Sequence, residues 1–190
     1  MKNITTLAVI AISTALIIGA GCITDTEKNV HPYVVIWAGT QPADHEMIEI
    51  ELSRQIVPYD GVVYDNVTVS VVEKEGAMHL HVSATSSACG YPDLYDFRYQ
   101  NRELVRTGYL LEAIPESVRQ DAIWIAMQYP GIADALSDGA GMPTVKRILP
   151  ETSEKFYAPK TLLSVTWIDE TVSALVDMDA RMAVEMWSGE

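Results

Sequence analysis

The chain of 190 residues has few basic residues and few cysteines, and each shortage excludes a class of protein. It holds 13 Lys and Arg against 26 Asp and Glu, which is a formal net charge of −13. Nucleic-acid binding needs basic patches that neutralise phosphate, so we expect no nucleic-acid partner. Two cysteines are too few for a disulfide-dense scaffold. Hydrophobic residues make up 48%, which is too many for a disordered chain.

Sequence motifs for catalysis and cofactor binding are also missing. The chain has no glycine-rich phosphate loop, no GxSxG sequence, no CxxC pair and no Walker motif. We therefore predict no catalytic residue and no cofactor. The length is that of one domain or two small ones. The mean hydropathy of +0.09 is high for so acidic a chain, and indicates that apolar residues are concentrated in one segment.

That apolar segment is at the start of the chain. Lys2 is followed by an apolar stretch over residues 7–18, by small residues at 19–21 and by Cys22. This order is typical of a secretory signal peptide, which we predict over residues 1–21. The wider run over residues 4–21 approaches the ~20 residues that span a bilayer, so a retained transmembrane helix is an alternative.

Gly21-Cys22 resembles the lipobox of prokaryotic lipoproteins, those of archaea included. The resemblance implies that the Cys22 thiol is acylated and becomes the new N-terminus, tethering the protein to the lipid bilayer on the extracytoplasmic face of the cell membrane. Gly19 departs from the pattern, because Leu, Val or Ile is common there. Gly19-Ala20-Gly21 would also suit an ordinary signal peptidase and soluble secretion. All three alternatives place the rest of the chain outside the cytoplasm.

Removal of residues 1–21 would take away one basic residue, Lys2, and no acidic one, which leaves a net charge of −14. Residues 22–30 are short and polar, and we interpret them as a linker after the lipidated cysteine. Anionic lipid headgroups would repel so acidic a body, so the anchor would hold it without laying it flat on the bilayer.

Residues 31–113 are predicted to be β-rich with hairpins. Alternating runs at period two indicate half-buried strands, and the first of them is Met47–Leu52. Short polar breaks at 74–76 and 100–102 indicate hairpin turns between the runs that follow. These runs are 67–71 with 78–82, and 95–99 with 104–111. Tyr95, Phe97 and Tyr99 would share one strand face, either packed in the core or open to a ligand.

Residues 114–190 are predicted to form a helix and then an antiparallel meander. Pro115-Glu116 opens a segment with apolar residues at helical spacing, which Pro130-Gly131 should end. Four short β runs follow, at 145–149, 162–168, 172–177 and 182–187, and their tight connections require antiparallel pairing. The predicted fold class is therefore α+β: a β-rich N-terminal part, then one main helix packed on a three- to four-stranded antiparallel meander.

This order of elements, with Val176-Asp177 and Val184 at the exit of the meander, resembles a PepSY-type module over residues 116–187. The resemblance implies a small extracytoplasmic module that restrains or modulates a protein partner. The chain departs from the family where a glycine is common in the last turn, since Ala180 stands there.

His79 and His81 are the candidate metal ligands. Residues two apart on a strand point to the same side, so both imidazoles could reach one ion. The alternative is that they belong to a solvated polar face with Thr68 and Ser70, and no further ligand spacing supports a metal.

Three further features have an ordinary structural explanation beside a functional one. Cys89 is a free loop thiol, a disulfide partner or a nucleophile. Asn66-Val67-Thr68 is a sequon for N-glycosylation in an exported protein. Asp177 and Asp179, with Asp169 and Glu170, could gather oxygens for Ca²⁺, but aspartate is common in β-turns.

We therefore expect a membrane-tethered extracytoplasmic lipoprotein that acts as a non-catalytic binding or modulating module for an envelope protein partner. The alternative is a small metal-dependent or ligand-binding envelope protein that uses His79 and His81.

Overall fold

A computed structural model describes residues 33–136 and 141–189, and in these residues nine strands and four short helices form one layered body. The strands are β1 (Val34–Ala38), β2 (Asn66–Lys74), β3 (Ala77–Thr85), β4 (Asp93–Gln100), β5 (Glu103–Leu111), β6 (Thr144–Ile148), β7 (Leu162–Trp167), β8 (Val172–Asp177) and β9 (Met182–Ser188). The helices are α1 (His45–Gln55), α2 (Glu116–Met127), α3 (Pro130–Ala135) and α4 (Pro150–Ser153).

All nine strands belong to a single mixed sheet in chain order, so the predicted fold class is wrong. Strands make up 42% and helices 22% of the described residues, which makes the protein mostly β. The predicted meander is not a separate sheet beneath one main helix. It continues the first five strands, because the end of β5 pairs with β6 at Leu111 and Arg147.

The predicted strand Met47–Leu52 is part of helix α1. Its alternation of apolar and acidic residues also fits a helix, because Ile48 and Leu52 are four residues apart and share one helix face. Both are buried in the core. Packing of that face against the core favours a helix over a strand. The segment also contains residues with high helix propensity, such as Glu and Leu.

Helix α1 also explains the mixed sheet. Parallel neighbours need a crossover connection, and α1 lies in the connection between β1 and β2, the one parallel pair among the described strands. The remaining neighbours are antiparallel.

Both predicted hairpins are confirmed. Strands β2 and β3 turn through Glu75 and Gly76, and β4 and β5 through Asn101 and Arg102, with positive φ at all four residues. A two-residue hairpin loop needs this backbone conformation to match the twist of its strands. Tyr95, Phe97 and Tyr99 are buried on one face of β4, as core packing predicted.

The core has two clusters on the same face of the sheet. The first lies between α1 and strands β2–β5, and the second between α2, α3 and strands β6–β9. Ala113 belongs to the first cluster and Ile114 to the second. Leu111 pairs with Arg147, and Arg147 pairs with Leu163, so these three side chains lie on the same face of the sheet across β5, β6 and β7.

The predicted signal peptide, the lipobox-like Cys22 and the linker at 22–30 lie outside the described residues. Within the residues that are described, no helix has the length and apolar character needed to span a membrane.

Candidate functional site

The site is built around the junction of β5 and β6, where the sheet is weakest. These two strands share one residue pair, Leu111 with Arg147, whereas β2 and β3 pair over their full length. With so few ladder hydrogen bonds, other groups must satisfy the backbone and hold the two parts of the sheet together.

A buried ion pair occupies this junction. The Nη2 group of Arg147 donates to Asp93 Oδ2 at 2.8 Å, and the two residues are 3% and 0% exposed. The same Nη2 donates to the carbonyl of Val57 at 2.6 Å. The other carboxylate oxygen, Oδ1, accepts the backbone N–H of Ala113 at 2.7 Å. The pair therefore joins β4, β6 and the segment after α1 at one point.

Two tyrosine hydroxyls complete the network. Tyr64 donates to Asp93 Oδ2 at 2.5 Å, and its hydroxyl lies 3.1 Å from that of Tyr95. Burial raises the pKa of Tyr64 far above its ordinary range, and the charge of the neighbouring Asp93 carboxylate adds to that effect. Burial raises the pKa of Tyr95 as well. Both hydroxyls therefore stay protonated, so they are available as donors.

A second buried arginine bridges the same junction. Arg119 on α2 donates to the carbonyls of Val145 at 3.2 Å and Glu112 at 2.9 Å. Its guanidinium carbon also lies 4.8 Å from the centre of the Tyr91 ring, a cation–π distance. Helix α2 is thus tied to both sides of the junction.

An open cleft of about 780 Å³ lies above this network. Its floor is the inner sheet face at Tyr95, Arg147 and Leu163. Its walls are the end of α1 with the following loop, the turn between β8 and β9, and the start of α4. The wall residues are Arg54, Gln55, Val57, Pro58, Tyr59, Asp60, Arg106, Leu149, Pro150, Glu151, Thr161, Met178 and Asp179.

Charged side chains of both signs surround the cleft. Arg106 forms an ion pair with Glu151 and donates to the carbonyl of Gln55 at 3.2 Å. Burial raises the pKa of Tyr59, the charges of Asp179 and Asp60 raise it further, and Arg147 opposes them. Carboxylates therefore lie close to Tyr59, and the cleft lining also contains Arg54, Arg106 and Arg147. The cleft can contact groups of either charge.

Sequence reasoning missed this site. A signal for the site was present in the sequence of β6. Val145 and Arg147 are two residues apart, so both side chains face the core side of the sheet. A charged residue at an inward strand position predicts a buried partner. The partner, Asp93, is 54 residues away in the chain, and no local pattern identifies it.

His79 and His81 both lie on the exposed face of β3, on the side that the hairpin pattern predicted. His81 Nδ1 is 2.8 Å from Asp96 Oδ1, and His79 is opposite Arg98 in the register. The described residues contain no group of three His, Cys, Asp or Glu side chains arranged to hold a metal ion. A metal held by the two histidines remains a prediction.

Cys89 packs against the first core cluster as a free thiol. Burial raises its pKa, the charge of Asp93 raises it further, and Arg119 and Ser86 oppose this. A raised pKa lowers the thiolate fraction and makes the residue a weaker nucleophile.

The sequon residue Asn66 is exposed at the first position of β2. Its modification remains a prediction.

The acidic turn after β8 is held by local bonds. Asp177 Oδ1 accepts the backbone N–H of Ala180 at 3.0 Å, and Oδ2 forms an ion pair with Lys160. Burial opposes the charged form of Asp177, but the bonds from Lys160 and Ala180 outweigh burial and lower its pKa. Both oxygens of the Asp177 carboxylate are engaged by these local partners, so the residue caps the turn. The calcium interpretation of this turn gains no support.

No family model, no curated protein and no solved structure matches the chain. The resemblance of residues 116–187 to a PepSY-type module therefore remains an expectation from the order of its elements.

Proposed function

We propose that this protein is a membrane-tethered extracytoplasmic lipoprotein that acts as a non-catalytic binding module and holds a segment of a protein partner in the cleft. The observation that carries the proposal is the cleft itself, about 780 Å³ over the junction of β5 and β6. A volume of this size falls within the ~300–1,000 Å³ range of binding pockets.

The chemistry of the lining favours a polypeptide over a small polar ligand. Apolar groups of Val57, Leu163 and Met178 lie beside charged groups such as Arg54 and Asp179. A lining that mixes apolar and charged groups is typical of a protein–protein interface. The Arg106–Glu151 ion pair at the rim would favour specificity and register more than affinity.

The floor is suited to hold its shape when a partner binds. Asp93 and Arg147 are bonded on several sides and buried, so they cannot move without exposing an unpaired charge. A rigid floor lowers the ordering cost of association, which benefits a binding module.

A photo-crosslinking experiment tests the cleft. A benzoylphenylalanine placed at Asp179, an exposed residue of the cleft wall, should crosslink to a defined protein in native membranes. The matched control is the same group at Asp169, an exposed residue in the turn at the opposite end of β8. Thr161→Trp, which places a bulky ring in the cleft lining, should reduce the Asp179 product. Equal products at both positions, or a product unaffected by Thr161→Trp, would contradict the proposal.

The tether is tested separately. Cys22→Ser should cause precursor to accumulate or release the protein from the membrane, because the acylated thiol would be lost. Unchanged mass and membrane association would contradict the lipid anchor and leave the cleft proposal standing.

A further inference from the structure

The two outer edges of the sheet are built differently. Strand β9 carries Glu185, and its pairing with β8 shifts register at Leu175–Val176. Charges and register irregularities are devices that protect an edge strand from pairing with another chain. Strand β1 has the sequence VVIWA and pairs with β2 in unbroken register. It has no charge, no proline and no bulge.

Alternate backbone groups of β1 point away from the sheet at this edge. The N–H of Val34 donates to Asp65 O at 3.1 Å, so Val34 directs its groups toward β2. In a parallel ladder every second residue directs its backbone N–H and C=O toward the neighbouring strand. The backbone N–H and C=O of Val35 and Trp37 therefore point away from the sheet. Within residues 33–136 and 141–189, those outward groups have no hydrogen-bond partner.

The side chains around this edge differ between the two faces. On the outer face Val34 is 60% and Ile36 45% exposed, and the adjoining β2 side chains are uncharged. On the inner face Glu49 of α1 accepts the indole N–H of Trp37 at 2.7 Å. The exposed Glu46 lies three residues before it, on the same side of the helix. One face of the edge is therefore apolar and the other is acidic.

We propose that the open edge of β1 is a strand-addition site that takes an extended basic segment of a partner protein. The backbone of the segment would bond to Val35 and Trp37. Its basic side chains would face Glu46 and Glu49, and its alternate apolar side chains would lie beside Ile36. The net charge of −13 attracts a basic segment and opposes pairing with a second copy of the chain. This surface is distinct from the cleft.

The test uses the full chain in detergent and a seven-residue peptide of alternating Lys and Val. Binding should slow hydrogen exchange at Val35 and Trp37, because the peptide backbone occupies their free groups. The same peptide with N-methyl groups on alternate residues should bind at least about tenfold more weakly, a loss of about 1.4 kcal/mol. A peptide of alternating Glu and Val should bind more weakly as well.

Protein variants locate the site. Val34→Lys with Ile36→Lys should weaken peptide binding at least about tenfold. The matched pair on the other edge, Met182→Lys with Trp187→Lys, should leave it unchanged. Circular dichroism checks that each variant is folded. The comparison with the N-methylated peptide uses the unaltered protein, so its result does not depend on the folding of any variant.

Three results would overturn the proposal. Equal binding of the N-methylated peptide would show that no backbone pairing occurs. Exchange protection at β9 instead of β1 would place the site elsewhere. A dimer in the absence of peptide that is lost in the Val34→Lys, Ile36→Lys variant would make a second copy the occupant. The cleft crosslink at Asp179 is independent of all three.

Discussion

The two parts of the sheet, β1–β5 and β6–β9, each have their own apolar cluster, and a buried polar network spans the junction between them. The first part packs aromatic residues such as Tyr95 and Phe97 beneath one helix, α1. The second packs mainly branched aliphatic residues beneath α2 and α3. Between them the strands share one pair, and Arg147 with Asp93 and Arg119 with two carbonyls span the gap.

The difference shows why buried charges are present in an otherwise apolar core. Strands that pair along their length satisfy their own backbone groups and need only side-chain packing. The β5–β6 junction lacks that ladder, and arginine offers several donors in a rigid fork that can reach carbonyls and a carboxylate together. The cleft lies above this junction, between the end of α1 and the start of α4.

The largest expected effect comes from breaking the link between the two parts. Arg147→Met should lower the free energy of unfolding by about 3–5 kcal/mol, because it leaves the Asp93 carboxylate buried without its cation. Urea denaturation measures the change. The control is Arg98→Met on the exposed face of β4, which should change stability by less than about 0.5 kcal/mol. A loss below about 1 kcal/mol for Arg147→Met would mean that the ion pair does not hold the junction.

Core truncations on each side test whether the two parts unfold together. Leu52→Ala in the first cluster and Ile132→Ala in the second should each cost about 2–4 kcal/mol. Both should shift one common transition, because the polar links couple the parts. Indole fluorescence and hydrogen exchange in each part provide separate probes. Two transitions, each moved by only one variant, would show that the parts are independent units.

Acid should weaken the second part through Asp177. Its folded pKa is lowered, so its contribution to stability is present above its unfolded pKa and is lost as the pH falls through the folded pKa. Asp177→Asn should therefore lose less stability than the wild type between about pH 5 and pH 2. Urea midpoints across this range provide the measurement. An equal acid loss in Asp177→Asn would assign the acid sensitivity to other carboxylates.

The smallest expected effect is at a turn of the second part. Thr171 has φ of 53°, a left-handed conformation that is unfavourable for a β-branched residue. Thr171→Gly should stabilise the protein by about 0.5–1 kcal/mol. The corresponding turn of the first part already has Gly76 at positive φ, and Gly76→Thr should destabilise by a similar amount. Thermal unfolding measures both, and a change of the same sign in the two variants would contradict the explanation.

Local patterns predicted the elements whose period is unambiguous. The alternation on either side of Glu75-Gly76 predicted the β2–β3 hairpin, and the Pro115-Glu116 start predicted α2. The alternation over Met47–Leu52 fits both a strand and one face of a helix, and only packing of Ile48 and Leu52 against the sheet distinguishes them. The fold class was wrong because a single residue pair between β5 and β6 decides whether there is one sheet or two.

Composition and local patterns were enough to predict the acidic charge, the apolar N-terminal segment, the two hairpins and the polar outer face with His79 and His81. These depend on composition and on residues close together in the chain. Tertiary structure alone decided the continuous sheet, the pairing of Asp93 with Arg147 and the cleft above it. The physical reason is that a buried charge must find its counter-charge in space. Here the partner is 54 residues away, where no periodicity reaches.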